Sequence, residues 1–362
     1  MVLRTAVVGA GTVSGAHLIG LDRSPRTELV AICDIDERRA RNVANTYGIR
    51  PYVDMDTLLD EEELDWVHIC TSVQTHLPLG LKAIEAGVPL LIEKPVTETV
   101  EECEALEAAA REHDVPVSVV HQHLYDPAMR TATEQIQRGE LGEIRGVDVI
   151  FTGLTTPDEP NRGSWTFDLP GGEFEEGIPH PIYLGLSVAG YPRDEASIQS
   201  STSLIGEYEY DFLYDNAQVQ YVSQRGTLCA IKMLTGTIPQ RLVHIHGERK
   251  TLTVDLISQT VEQLHRDYRG SALTRVQNNL DRVVDRLGGV ASNAYLVGKR
   301  KYDDSWENVK EANPHYYLFD EEARLLEQGR SNSTSLERAK WTMQITESIR
   351  ASTETGVPVV QR

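Results

Sequence analysis

The chain has 362 residues, 40% of them hydrophobic, and a formal net charge of −20. That length suggests about two domains, each able to bury its own core. The acidic balance argues against nucleic acid as a partner, and no apolar run approaches the roughly 20 residues that span a bilayer.

Met1-Val2-Leu3-Arg4-Thr5 leads straight into a strand pattern, which gives the expectation of no secretory segment and a cytoplasmic location. Cys33, Cys70, Cys103 and Cys229 show no paired spacing, so neither a disulfide framework nor a metal site is expected.

Leu3 to Val8 reads as a strand, and Gly9-Ala10-Gly11-Thr12-Val13-Ser14-Gly15 follows it before the helical pattern Ala16-His17-Leu18-Ile19. Two glycines permit a tight turn and let backbone N–H groups approach a pyrophosphate. Ser14 stands where the fingerprint has a third glycine, and is small enough to pack on the strand. A second strand, Leu29 to Cys33, ends at Asp34. A carboxylate there can accept both ribose hydroxyls of an adenosine and repels a 2′-phosphate, so NAD is favoured over NADP. The alternative is a nucleotide-free domain in which Asp34 caps a helix.

The alternation continues: helix Glu37 to Tyr47 closed by Gly48, strand Asp65 to Cys70 ending at Thr71-Ser72, and helix Leu79 to Ala86 ended by Gly87. The apolar run Val88 to Ile92 then delivers Glu93-Lys94-Pro95 to the end of a buried strand. In an open parallel sheet such ends line the ligand crevice. Helix Thr99 to Glu112 and strand Val115 to Val120 complete the rhythm, which predicts a parallel α/β sheet ending near residue 122.

Beyond it, helix Asp126 to Arg138 stops at Gly139 and a strand series begins at Ile144. Tyr208 to Tyr221, Gly226 to Met233 and Leu242 to Val254 read as hairpin-linked strands of a mostly antiparallel sheet, so this part is α+β. From Ser271 to Leu287 the apolar residues Leu273, Val276, Leu280, Val283 and Leu287 draw one stripe along a helix, either packed on the sheet or presented to a partner. A last helix, Ser335 to Thr355, closes at Gly356.

The Gly9-Ala10-Gly11 turn, Asp34, Glu93-Lys94-Pro95, Gly139-Glu140-Leu141-Gly142-Glu143-Ile144, and Gly171-Gly172 followed by His180 resemble the Gfo/Idh/MocA oxidoreductases. The resemblance implies an N-terminal Rossmann domain over 1–122 and a C-terminal domain over 123–362 whose open sheet often forms the oligomer interface. It further implies NAD(P)-dependent oxidation of a secondary hydroxyl on a sugar, sugar derivative or cyclic polyol. Two other outcomes stay open within it: a lyase or glycosidase that keeps NAD bound without net redox, and a non-enzymatic sensor of NAD and a sugar.

By this resemblance Lys94 lies near the reacting hydroxyl, His180 carries the proton, and Glu93 and Pro95 shape the nicotinamide ribose site. Gly9, Gly11, Thr12, Val13, Asp34, Thr71, His76, Glu93, Lys94 and Gln122 are the expected cofactor contacts. His123, Trp165, Glu176 and Tyr183 join Lys94 and His180 as expected substrate contacts, and Glu176 is also an expected catalytic residue that orients His180. Glu176 stands where the family has Asp, Tyr183 where inositol-oxidising members carry another Asp, and Gln122 where the family has Asn. Pro181 is tolerated only in a first helical turn, so the helix carrying His180 must start after Gly177, with Glu176 on the preceding loop.

Several residues keep two readings. His76 caps a helix or touches cofactor. His121 and His123 face the ligand crevice or are structural. Trp165 and Asp168 reach the substrate or pack their loop, and Tyr183 meets a sugar hydroxyl or faces the core. His244 and His246 share a strand face, but with no third ligand in spacing a structural role is favoured over a metal pair.

Only eight of the thirty-five basic residues are lysines. An acidic, lysine-poor surface suits a salt-rich cytoplasm, and the alternative is an ordinary acidic protein. In the first case activity should rise from low to molar salt; a flat profile counts against it.

Overall fold

A computed structural model describes residues 2–264, 271–330 and 334–353. The chain divides into two compact units, Met1–Gln122 with Ser305–Met343, and His123–Asp304 with Gln344–Arg362.

The first unit holds a parallel sheet of β1 (Leu3–Val8), β2 (Thr27–Cys33), β3 (Arg50–Tyr52), β4 (Trp66–Ile69), β5 (Leu90–Ile92) and β6 (Val117–Val119). Their spatial order is β3-β2-β1-β4-β5-β6. The order reverses between β1 and β4, which is where a doubly wound sheet opens its ligand crevice. β4 and β5 are buried throughout, as a sheet covered on both faces requires. Side chains cap the starts of two helices: Asp36 accepts the N–H groups of Arg38 and Arg39, and Thr99 accepts that of Glu102. β3 and the helix Met55–Glu61 have no counterpart among the expected elements.

The expected second domain of 123–362 differs in one respect, because Ser305–Met343 returns to the first unit. The helix Pro314–Glu327 lies on the helix Ser14–Arg23 so closely that a Cβ on Gly20 would sit 2.8 Å from the Phe319 ring. Ser118 donates to Glu322 at 2.7 Å, and the Ser335 hydroxyl accepts the Val119 N–H at 2.9 Å. These contacts fasten the returning segment to the edge strand β6.

The second unit is built on β7 (Ile144–Leu154), β8 (Gln199–Ser203), β9 (Asn216–Val222), β10 (Leu228–Thr235), β11 (Gln240–Gly247), β12 (Thr251–Asp255) and β13 (Thr260–Leu264). Their order is β13-β12-β11-β7-β10-β9-β8, and every pair is antiparallel except β7 with β10. Val147, Val149, Phe151, Ile231, Met233 and Ile245 are buried on one face, which carries the helix Pro179–Ala189.

Three expectations are corrected here. Residues 208–215 are not strand: the Asp215 carboxylate gathers the Ile205 and Gly206 N–H groups and the Tyr208 hydroxyl into a loop. The run Leu242 to Val254 is two strands, broken by the turn at 248–250. Glu176 lies on a short helix, Gly172–Gly177, rather than on a loop, although the helix bearing His180 does start afresh at Pro179. The striped helix runs well beyond Leu287, over Ala272–Tyr302, and its stripe is exposed rather than packed on the sheet. The last helix is Thr334–Ser352; Thr355 and Gly356 lie outside the described residues. Among the described residues no helix is long and apolar enough to cross a membrane.

Glu175 is buried in the second unit, where the Arg350 guanidinium reaches it at 2.5 Å and the Tyr214 hydroxyl donates to it. Removing one partner of a buried pair leaves the other charge uncompensated. Arg350→Ala is therefore expected to destabilise the protein by about 3 kcal/mol, read as a lowered denaturation midpoint; an unchanged midpoint would contradict this account.

Candidate functional site

In the first unit the chain turns sharply after β1. Gly9 has φ of +100°, and a Cβ there would lie 2.6 Å from the Cys70 carbonyl oxygen, so only glycine fits. The Ala10 N–H donates to Asp34 Oδ2 at 2.7 Å, and the Asp36 N–H donates to Oδ1 at 2.8 Å. Asp34 thus ties the turn after β1 to the end of β2. Arg39 stands 3.5 Å from Asp34 and 3.3 Å from Asp36.

The helix that follows starts at Ser14, and no side chain caps it. Its first N–H groups are left for an anion, aided by the helix dipole. A Cβ on Gly11 would meet no protein atom within 4 Å, so the protein itself does not demand glycine there and the backbone is open to a ligand. The buried Ser14 hydroxyl donates to the Gly11 carbonyl at 2.7 Å, filling the third-glycine position without a clash. Thr12 is exposed and Val13 half-buried at the same turn. These features fit a dinucleotide: donors for a pyrophosphate, an open backbone, and a carboxylate for the ribose.

Glu93 and Lys94 follow β5 and are 4% and 5% exposed. Glu93 Oε1 is 2.9 Å from His17 Nε2, and Oε2 accepts the Lys94 N–H at 3.1 Å. Burial alone would raise the Glu93 pKa, but the hydrogen bond and charge of His17, with the charges of His315 and Lys94, hold it down to about 2. His17 Nδ1 in turn lies 2.8 Å from His68 Nδ1. Burial and the charge of His17 hold His68 well below the ordinary imidazole range, and its Nε2 has no hydrogen-bond partner. Sequence reasoning missed His17 and His68 because they lay within helix and strand patterns with nothing to mark a link to Glu93.

His76 bridges two loops. Its Nδ1 lies 2.9 Å from the Pro95 carbonyl and its Nε2 3.1 Å from that of Thr71. Burial lowers its pKa despite both carbonyls, so the ring ties the loop after β4 to the one after β5. Gln122 is buried at the start of the turn Gln122–Tyr125, and His121 just before it is buried, its pKa lowered by burial and by Arg338.

In the second unit His180 sits in the first turn of its helix, with Nδ1 3.0 Å from the Tyr183 hydroxyl. Tyr183 is fully buried, and its oxygen accepts the His123 N–H at 3.1 Å. The His123 ring meets His180 edge-on with centroids 4.9 Å apart, and its Nδ1 lies 2.7 Å from Asp126. Asp126, read from the sequence only as a helix start, proves to be the orienting carboxylate of this cluster. Tyr183 faces the core and holds His180, the second of its two expected readings. When the Tyr183 hydroxyl donates to Nδ1, the neutral ring carries its proton on Nε2; when Nδ1 donates, Nε2 is the basic nitrogen.

Glu176 is mostly buried and lies 3.4 Å from Arg162. Burial and the charge of Glu176 raise the pKa of neighbouring Glu173. The half-buried Trp165 donates its ring N–H to the Arg162 carbonyl at 3.1 Å, which fixes the loop, while Asp168 is exposed. His244 bonds Thr253 and His246 bonds Asp148, and among the described residues no cluster is fit to hold a metal.

Residues 3–121 match the oxidoreductase family Gfo/Idh/MocA, with its NAD-binding Rossmann fold. D-apiose dehydrogenase of Paraburkholderia graminis is 33% identical over 138 residues, 38% of this chain and 37% of that protein. The scyllo-inositol 2-dehydrogenase (NAD(+)) of Bacillus subtilis is 34% identical over 155 residues, 42% of this chain and 44% of that one. The chain therefore spans less than half the length of these relatives. Across 98% of this chain and 96% of the other, the fold is that of the WlbA dehydrogenase from Bordetella pertussis, solved with NADH and UDP-GlcNAcA, at a TM-score of 0.76 and 17% identity.

Glu93 has a folded pKa of about 2 against an ordinary 4.5, so its stabilisation is complete above pH 4.5 and is lost as pH falls toward 2. The stability gap between the wild type and Glu93→Gln, measured by urea unfolding, should stay constant above that window and shrink below it. A gap that does not change with pH would show that the carboxylate is not held ionised.

Proposed function

We propose that the protein is an NAD-dependent dehydrogenase that oxidises a secondary hydroxyl of a sugar, sugar derivative or cyclic polyol. The observation that carries this reading is the glycine turn tied to Asp34, with an uncapped helix start and open space at Gly11 beside it. D-apiose dehydrogenase and scyllo-inositol 2-dehydrogenase, by their names, act on a sugar and a cyclic polyol, which supports the substrate class.

Gly9, Gly11, Thr12 and Val13 would hold the pyrophosphate, and Asp34 the adenosine ribose, with preference for NAD over NADP. Thr71, His76, Glu93 and Gln122 would line the rest of the cofactor site. When bound, the nicotinamide supplies the hydride acceptor. Lys94 polarises the substrate oxygen and stabilises the negative charge that grows on it as the proton leaves. His180 takes that proton, its plane and tautomer governed by Tyr183. Glu176 and Arg162 form a charged pair suited to binding hydroxyl groups, with His123 and Trp165 as further contacts. The buried, unpaired cysteines suit a reducing cytoplasm, and the exposed face of the second sheet suits a homo-oligomer.

Turnover of NAD with a panel of sugars and cyclic polyols tests this reading. Lys94→Ala should cut it by a factor of ~10² or more. Undiminished turnover in that variant, on every substrate the wild type accepts, would overturn the assignment.

A further inference from the structure

The helix Ala272–Tyr302 turns its faces the opposite way from an ordinary surface helix. Its polar face looks inward, onto the edge strand β13. Asp285 accepts the Gln263 N–H at 2.8 Å, Arg286 pairs with Glu262 at 2.6 Å, and Asn293 donates to the Ser258 carbonyl at 2.6 Å. A Cβ on Gly289 would sit 2.5 Å from Thr260, so the helix meets the strand closely along this polar side. The apolar side is left outward: Leu273, Val276, Leu280, Val283, Leu287 and Val290 are between 52 and 74% exposed.

Those six positions step by three and four residues in strict alternation, which is the seam of a coiled coil and not the broader stripe of a helix laid on a sheet. A seam of this width is complemented by another helix with the same period. The flanking positions of the repeat are Gln277, Asn279, Val284, Arg286, Ala291 and Asn293. Arg286 alone is charged, and it is already paired with Glu262. No like charges would therefore oppose each other when the seam meets its own copy.

We propose that this helix pairs with the same helix of a second copy of the chain, running antiparallel. Leucine and valine alternate along the seam, so an antiparallel pair sets Leu273 against Val290, Val276 against Leu287 and Leu280 against Val283. Every layer then holds one leucine and one valine, of equal volume throughout. A parallel pair would stack leucine on leucine and valine on valine, and two-stranded parallel pairs favour the reverse placement of the branched residue. It would also bring the Lys299-Arg300-Lys301 ends together, which the antiparallel pair keeps apart. This contact is separate from any assembly through the sheet face.

The test uses the full chain. Sedimentation should show Leu280→Glu/Leu287→Glu with half the mass of the wild type and an unchanged helix content by circular dichroism, since both side chains are exposed in the single chain. Leu273→Cys mixed with Val290→Cys should cross-link to each other under oxidation, with little Leu273→Cys self-linkage. An unchanged mass in the glutamate variant overturns the proposal, and so does a monomeric wild type, whether or not its helix binds anionic phosphatidylserine vesicles. Self-linkage of Leu273→Cys in preference to the mixed pair overturns the antiparallel arrangement.

Discussion

A carboxylate with almost no access to water needs charge and hydrogen bonds to compensate its burial, and Glu93 has both. His17 reaches it from the helix after β1, and the N–H of Lys94 closes on its second oxygen. His68 then backs His17 from β4. Three separate stretches are thereby fixed around one anion at the end of β5. Phe319, from the segment that returns late in the chain, packs tilted against His17 and edge-on against His68, with ring centroids 4.7 and 5.1 Å away. The backbone at Lys94 owes its position to this arrangement. The hydrogen bonds of Glu93 to His17 and to the Lys94 N–H hold that backbone against drift.

The same logic explains why Asp34 has more than one task. Its two oxygens accept the N–H groups of Ala10 and Asp36, so the carboxylate shapes the glycine turn as well as marking the end of β2. Each carboxylate oxygen can accept more than one donor, so capacity remains for ribose hydroxyls. Asp34 therefore need not be a helix cap: Asp36 performs that role, with the N–H groups of Arg38 and Arg39. The reading of Asp34 as a cap and the reading of it as a ribose acceptor are separated by these two residues.

Local signals made most of the first unit legible. The βαβ alternation, the glycine turn, Asp34 and Glu93-Lys94-Pro95 are each defined by neighbours within a few residues, and the periodicity of a buried strand is enough to find them. What failed was non-local. β3 has three residues, too few for any period to register. Nothing in the spacing of Pro314 to Glu327 says which sheet it will cover; the fit of Phe319 against Gly20, about 300 residues earlier, decides it. Tyr208 to Asp215 has the aromatic content of a strand, but the Asp215 carboxylate accepts from Ile205, Gly206, Tyr208 and Asn216 and wins the local competition for the backbone. The seam of Ala272–Tyr302 was visible as spacing, whereas its outward direction depends on Asp285 and Asn293 choosing β13.

The second unit shows how far a single buried hydroxyl can govern a reactive ring. Tyr183 is one turn along the helix from His180, so its oxygen reaches Nδ1 by helix geometry alone. The same oxygen is committed to the His123 N–H, and His123 is itself held by Asp126. The Tyr183 oxygen can donate to Nδ1 or accept from it, with the neutral ring's proton on Nε2 in the first state and on Nδ1 in the second. Only the second leaves Nε2 with a free lone pair, so a His180 that is to accept a proton there needs Tyr183 as the acceptor from Nδ1. Phenylalanine could fill the same volume, but it would leave both the ring and the His123 N–H without the oxygen that couples them.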